Sequence, residues 1–443
     1  MRAKEPCEAH TVKASIRADS RLEVADILRR FGPSYAQTHA VSPFEQRIID
    51  DLIACRTASL GGHLEHCPQC GFERHAYNSC RNRHCPKCQT LTKMRWVEAR
   101  RAELLPTPYF HTVFTVPHDL NPLVLANKRL LLGLLFRSAS ETLLDFGRRR
   151  LGGQLGAIML LHTRDQRLKP HFHLHALVPG GALSDQGQTW NPTSATFLFP
   201  VKALSTVFRA KYLDGLKQLH AEQALRLTGA TLELETPKTF DTFVKRLRRH
   251  KWVVYAKPPF GGPEQTLSYL GRYTHRVAIS NHRLLDMQGD RVRFTFRNRR
   301  QGDRVEVEEL EAHTFIKRFL RHVLPSGFVR IRHYGLLANR CKAYTLPLCR
   351  QAMEHVEPPP QPDSHSVAQW MQRWTGIDIT RCPACGHQPL ERFPLPATLG
   401  AKHNRDPHRH PVPKKFLSTS RSEQLMPAPA RWVRCAQMPC QLV

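Results

Sequence analysis

The sequence predicts an α+β protein, with a central antiparallel sheet flanked by helices and a small zinc-ribbon-like module in front of it. Three observations lead there. Two apolar strand-like runs, Leu155–Leu161 and Phe172–Val178, are separated by only a short basic loop, which favours antiparallel neighbours. Stretches with helical spacing lie on both sides of them. Ahead of them, two Cys-x-x-Cys pairs sit in a polar, turn-rich segment with little apolar content of its own.

Taken in order, residues 1–50 read as a helical segment. Leu22, Val24, Ile27, Leu28 and Phe31 fall on one helical face until Gly32-Pro33, and Ile48, Ile49, Leu52 and Ile53 mark a second helix from Pro43 to Ala54. Residues 51–104 form the zinc-binding unit and end in a basic helix. Residues 105–345 form the main domain. Its expected strands are Phe110–Val116, Leu155–Leu161, the segment His171–Val178, Trp252–Ala256, Val277–Ser280 and Arg291–Arg297. Its expected helices run over Leu123–Leu151, Leu204–Leu227, Phe240–His250, Glu264–Tyr273 and Phe315–Val323. Residues 346–395 carry a lone Cys-x-x-Cys behind a Pro358-Pro-Pro360 linker. Residues 396–443, rich in proline, histidine and basic side chains, are expected to be disordered.

Charge narrows the function. The chain has 443 residues, with 66 Lys and Arg against 37 Asp and Glu, a formal net charge of +29. Such a balance calls for a polyanionic partner, and nucleic acid comes first. No apolar signal-peptide core opens the chain, and the apolar run Leu123–Phe136 is broken by Lys128-Arg129 and too short for a bilayer. A cytoplasmic protein without a membrane partner is the expectation. The 13 cysteines, several of them in pairs with two-residue gaps, point to zinc rather than disulfides.

The residues with chemistry fall into four groups. His171, His173 and His175 alternate along one strand and so project from one face, while Phe172, Leu174 and Ala176 line the other. Three imidazoles in register suit a metal or catalytic site; ordinary hydrogen bonding to neighbours is the plainer alternative. Cys67, Cys70, Cys85 and Cys88 supply four thiolates in two knuckles, the donor set of a structural Zn²⁺. Cys80, His84, His66 and His75 are spare donors. Cys382 and Cys385 form half of a possible second zinc site, with Cys435, Cys440 or His387 as candidate partners. Tyr269 and Tyr273, four apart, share a helix face beside Arg272. Arg291, Arg293 and Arg297 share one strand face that could track phosphates or simply face solvent.

Together these motifs resemble the transposases of the rolling-circle insertion-sequence family numbered ninety-one, which are HUH endonucleases. His173-Leu174-His175 matches the histidine–hydrophobe–histidine motif. Tyr77–Gln89 resembles the family's zinc-binding segment and Tyr269–Ser280 its two-tyrosine motif, and Phe328–Ala338 also resembles these proteins. The resemblance spans roughly residues 45–340. It implies an HUH-endonuclease-like sheet and a DNA transposase that nicks and rejoins single-stranded element ends. Tyr269 and Tyr273 would be the nucleophiles, forming a 5′-phosphotyrosine. A divalent ion, Mg²⁺ or Mn²⁺, would sit on His173 and His175, with His171 as third ligand or Gln265 in its place. The implied partners are transposon ends and target DNA, and the protein would associate with the nucleoid. A replication-initiator or relaxase-type nickase, and a non-enzymatic zinc-ribbon DNA-binding protein, are the rival readings.

Overall fold

The computed structural model describes residues 22–259, 265, 271, 278–298, 301–355 and 365–398. Two helices open it, α1 (Val24–Thr38) and α2 (Pro43–Ala54). Ser42 caps α2, accepting from the Glu45 N–H while the Glu45 carboxylate reaches back, and Pro43 occupies the first helical position. A short hairpin follows, β1 (Gly62–His66) and β2 (Glu73–Tyr77), then α3 (Thr90–Arg101) and β3 (Tyr109–Thr115). The apolar stretch expected as one or two helices is two, α4 (Asn121–Ala126) and α5 (Lys128–Leu151). Helix α5 ends where Gly152 takes a left-handed conformation, φ 62°, with Arg148, Arg149 and Arg150 against the negative end of the helix dipole.

Next come β4 (Gly153–Gln154), β5 (Gly156–Arg164), β6 (Pro170–Pro179), β7 (Gly181–Ser184) and β8 (Trp190–Pro192). Helices α6 (Val201–Ala221) and α7 (Pro237–Arg249) lead to β9 (Val253–Lys257). Strands β10 (Leu284–Gln288), β11 (Arg291–Asn298) and β12 (Arg304–Glu311) run into α8 (Ala312–Arg321) and β13 (Ile331–Gly335). Helices α9 (Lys342–Ala352) and α10 (Val367–Thr375) and strand β14 (Glu391–Leu395) complete the described chain.

The fold is α+β, and its centre is a five-stranded sheet in the order β13-β5-β6-β3-β9, antiparallel throughout. β6 is the middle strand. Its even-numbered side chains, Phe172, Leu174, Ala176 and Val178, bury against Phe110 and Phe114 of β3, Met159 and Leu161 of β5, and the apolar faces of α5 and α6. A second core joins α1 and α2 to α8 and the sheet β10-β11-β12. A third sheet, β14-β1-β2, holds the hairpin.

Most expected elements form. Two differ in extent: the helix expected to reach Leu227 stops at Ala221, and Ala278–Ser280 is irregular chain rather than strand. There Ala278 and Ile279 still bury in the second core, so their apolar character reflects packing, not pleating. Tyr269, Tyr273, Arg272, the Pro358–Pro360 linker, Cys435 and Cys440 lie outside the described residues, as does the tail from 399 onward.

Leu174 sits fully buried in the middle strand. Leu174→Ala should therefore lower unfolding stability by about 2–5 kcal/mol, the usual range for an unfilled core cavity. A urea titration followed by circular dichroism measures it.

Candidate active site

The odd-numbered face of β6 carries the histidines. Towards the Pro179 end that face is covered: Leu177 packs with Ile158 and Leu160 of β5 and with Leu346 and Cys349 of α9. Towards the other end it is open, and there the sheet register sets His162 of β5 directly opposite His173. Residues opposite one another point to the same face. His162, His173 and His175 thus converge, with one ring nitrogen of each within 4.8 Å of the others.

The expected third member, His171, lines the same cleft but is not in this group; its Nδ1 lies 2.9 Å from Nε2 of His118. Gln265 is exposed and does not line the cleft. His162 could have been found: it follows Ile158 and Leu160 at strand period on the run already assigned to an antiparallel neighbour. What the sequence lacks is the register that puts it beside His173.

The ring nitrogens are prepared for ligation. Nδ1–H of His173 donates to the His171 carbonyl at 3.0 Å, which leaves Nε2 with its lone pair. Nδ1 of His175 lies 2.8 Å from Nε2 of His111 on β3. If His175 ligates through Nε2, its Nδ1 proton goes to His111. Burial holds His162 well below the usual imidazole range, with His175 and His173 adding to the effect, so it stays neutral and able to ligate. Burial, helped by Lys257, lowers His111 to about 4. The set fits a divalent ion, and three imidazoles favour Mn²⁺ or Zn²⁺ over Mg²⁺.

The cleft in front of the histidines encloses about 460 Å³. Its walls include Arg83, Arg164, Arg283 and Arg330, with Asp165 as the one acidic side chain among the described residues. Arg83 is tied down by the carbonyls of Leu324, Pro325 and Phe328. Arg330 pairs with no carboxylate among the described residues; burial and the neighbouring Arg83 charge lower it to about 10. A cleft of this kind attracts a phosphate.

Arg83 and His84 come from the zinc-binding segment. The four sulfurs expected together do not meet. Cys85 and Cys88 cluster with Cys80 and with Cys55 at the end of α2, while Cys67 and Cys70 cluster with Cys382 and Cys385. The hairpin explains this. The Cys67 knuckle is the loop at its tip, whereas Cys55 and Cys80 flank its base. Two five-residue strands separate tip from base by roughly 15 Å. In the base cluster Cys80 and Cys88 sulfurs lie 3.6 Å apart and those of Cys85 and Cys55 3.5 Å apart. A zinc tetrahedron with 2.3 Å bonds needs about 3.8 Å. His84 is not a donor; its Nδ1 faces Asn82 and its Nε2 accepts from the Leu324 N–H.

The basic strand face is also less free than its pattern suggests. β12 places Glu311 opposite Arg291 and Glu309 opposite Arg293, and Arg293 pairs with Asp286 at 3.5 Å. Only Arg297, opposite Val305, lacks an acidic neighbour across the strand. Gly271, between the two tyrosines in sequence, is helical and buried. Its Cα abuts α3, so an added Cβ would lie 2.6 Å from a Val97 methyl.

Comparison with known proteins gives the family. Residues 156–344 match a family described as "Putative transposase", and residues 27–116 match the "Transposase zinc-binding domain" of IS91 elements. The chain is 45% identical over 377 residues to "Putative transposase y4qJ" of Sinorhizobium fredii, covering 84% of this chain and 94% of that one. The chain belongs to the IS91 family of transposases. A second relative of this transposase, 29% identical over 77% of the chain and 82% of its own length, is the transposase for insertion sequence element IS801 of Pseudomonas savastanoi pv. phaseolicola. No solved structure matches the transposase. Among the described residues no helix is long and apolar enough to cross a membrane.

Two further cleft histidines make the fold acid-sensitive. His84 and His322 are each lowered to about 3, first by burial. His322 is neutral, with Nε2–H donating to the Leu168 carbonyl and Nδ1 accepting from Thr163. The unfolded chain takes up these protons near the ordinary imidazole value of about 6.5, and the fold only near 3. Stability is therefore full above 6.5 and drains as the pH falls from there towards 3. Urea midpoints at pH 7.5 and 5.0 should show a clear drop, and the drop should shrink in His322→Asn, which can keep both hydrogen bonds.

Proposed function

We propose that this transposase nicks and rejoins single-stranded ends of its insertion sequence through a 5′-phosphotyrosine intermediate, in rolling-circle fashion, on an HUH-like sheet. The observation that carries the reading is the convergence of His162, His173 and His175 on a cleft walled by arginines, in a chain of this family. A divalent cation on the three imidazoles would supply Lewis acidity and orient the scissile phosphate.

The chain's own groups do the rest. Arg330 and Arg83 hold non-bridging phosphate oxygens by charge-assisted hydrogen bonds. The hydroxyl of Tyr269 or Tyr273 attacks phosphorus. A tyrosine O–P bond forms and the P–O3′ bond breaks; the phenolic proton leaves to solvent or a base, and the departing 3′ oxygen gains a proton. Rejoining is the reverse, with a 3′-hydroxyl attacking the phosphotyrosine, so the phosphodiester energy is conserved. A second tyrosine permits a second cut before the first link resolves. Buried Gly271 seats the middle of this motif on α3, the helix that leaves the zinc knuckle. Base-cluster zinc on Cys55, Cys80, Cys85 and Cys88 fixes the loop that presents Arg83. Arg272 and Arg297 are candidates for contacts to the flanking strand. Most DNA affinity then comes from dispersed basic side chains and falls steeply with salt.

Tyr269→Phe with Tyr273→Phe removes two hydroxyls and should abolish the covalent protein–DNA band on a denaturing gel while leaving single-stranded DNA binding intact. An adduct in that variant would end the tyrosine assignment. Arg330→Gln keeps the nucleophiles and should slow cleavage on the order of a hundredfold, as loss of a charge-stabilising donor does, with binding changed only a few-fold. Unchanged single-turnover cleavage would remove Arg330 from the site.

A further inference from the structure

We propose a second structural zinc, held by Cys67, Cys70, Cys382 and Cys385, that clasps the C-terminal part of the chain to the zinc-binding hairpin. The four sulfurs lie together, with Cys67 and Cys385 3.6 Å apart and Cys70 and Cys382 also 3.6 Å apart. These separations suit a tetrahedral ion with 2.3 Å bonds to sulfur. The donors come from positions more than 300 residues apart, yet the two halves are alike in sequence and backbone. Cys67-Pro-Gln-Cys70-Gly71 and Cys382-Pro-Ala-Cys385-Gly386 share one pattern. In the first, the Cys67 N–H donates to the Phe72 carbonyl and the Gly71 N–H to that of Cys67; in the second, Cys382 donates to His387 and Gly386 to Cys382. Gly71 and Gly386 adopt φ of 72° and 76°, which disfavours any residue with a Cβ. The Cys85-Pro-Lys-Cys88 knuckle is followed by Gln89, not glycine. The two glycine-ended knuckles are matched halves of one site.

The surrounding structure depends on this clasp. β14 adds to the hairpin as a third strand, pairing antiparallel with β1 from Gly62 opposite Leu395 to His66 opposite Glu391. Glu65, buried on β1, accepts from Arg74 of β2 and lies 3.3 Å from Arg392 of β14. The apolar contribution is small: around the knuckles, among the described residues, only Cys67, Cys382, Leu390 and Phe72 pack together. Five strand pairs, the pair between buried Glu65 and Arg392 and the exposed His66–Glu391 contact would not hold so long a loop closed by themselves, because isolated small sheets are marginal in water. A metal supplies what this core lacks. Cys70 and Cys385 are exposed, whereas Cys55, Cys80 and Cys85 of the base cluster are buried. The clasp is therefore the more accessible of the two metals to a chelator.

Cobalt substitution of the full chain tests the proposal, since thiolate-to-cobalt charge-transfer absorbance counts only cysteine sites and ignores the histidine cleft. Cys382→Ser with Cys385→Ser should lower that absorbance to about half. It should also abolish amide protection in β14 while β6 stays protected in hydrogen exchange. Cys385→His should keep the metal and the β14 protection, separating loss of metal from loss of fold. In the parent, chelation should release the two ions in two phases, with β14 protection lost in the fast one. Full absorbance in the double serine variant overturns the clasp, and so does loss of β14 protection on Cys85→Ser with Cys88→Ser but not on the Cys382 and Cys385 changes.

Discussion

The antiparallel pairing of β5 with β6 is the constraint on which the site depends. One register sets His162 opposite His173 and Leu161 opposite Leu174. The first pair faces the cleft and the second the core. A slip by one residue would send every side chain of β5 to the wrong face, burying His162 among leucines and exposing Leu161. The apolar face under α5 and α6 thus fixes the position of the polar one. Burial keeps His162 neutral, and hydrogen bonds of His173 to the His171 carbonyl and of His175 to His111 aim their other ring nitrogens.

The zinc-binding domain is joined to that cleft. The loop between Cys80 and Cys85 carries Arg83 and His84, and both line it. Arg83 bonds three carbonyls of the segment that leads into Arg330 and the edge strand β13. On the function proposed here, a metal that folds this loop also completes the phosphate-binding wall. The clasp at the hairpin tip would act at a distance from the chemistry, anchoring the far end of the chain.

The sequence was a good guide wherever one strand or helix carried the whole signal. The alternating histidines, the core strands of the main domain and the amphipathic helices α1, α2 and α8 could all be seen in it. It failed where partners are chosen by tertiary geometry. Nearness in the chain suggested that Cys67 and Cys70 join Cys85 and Cys88, but a hairpin holds tip and base apart, and their sulfurs lie instead with those of Cys382 and Cys385 at one end and of Cys55 and Cys80 at the other. Cys55 gave no signal, being a single cysteine at a helix end. His162 was hidden by register, and the contact of His171 with His118 was not legible from periodicity. The arginines of β11 looked basic because the acidic residues opposite them lie on another strand.

The central claim is that the two tyrosines and the three histidines form one centre. The distance between them is the most direct test. Fluorotyrosine placed singly at position 269 or 273, in protein loaded with Mn²⁺, reports it through the fluorine line width. A metal and one phosphate between hydroxyl and imidazoles put the ring within ~10 Å of the ion. The account predicts a line broadened by Mn²⁺ at one or both positions and sharp again when His173 and His175 are replaced by alanine. Lines that stay sharp at both positions in the Mn²⁺-loaded parent would contradict it.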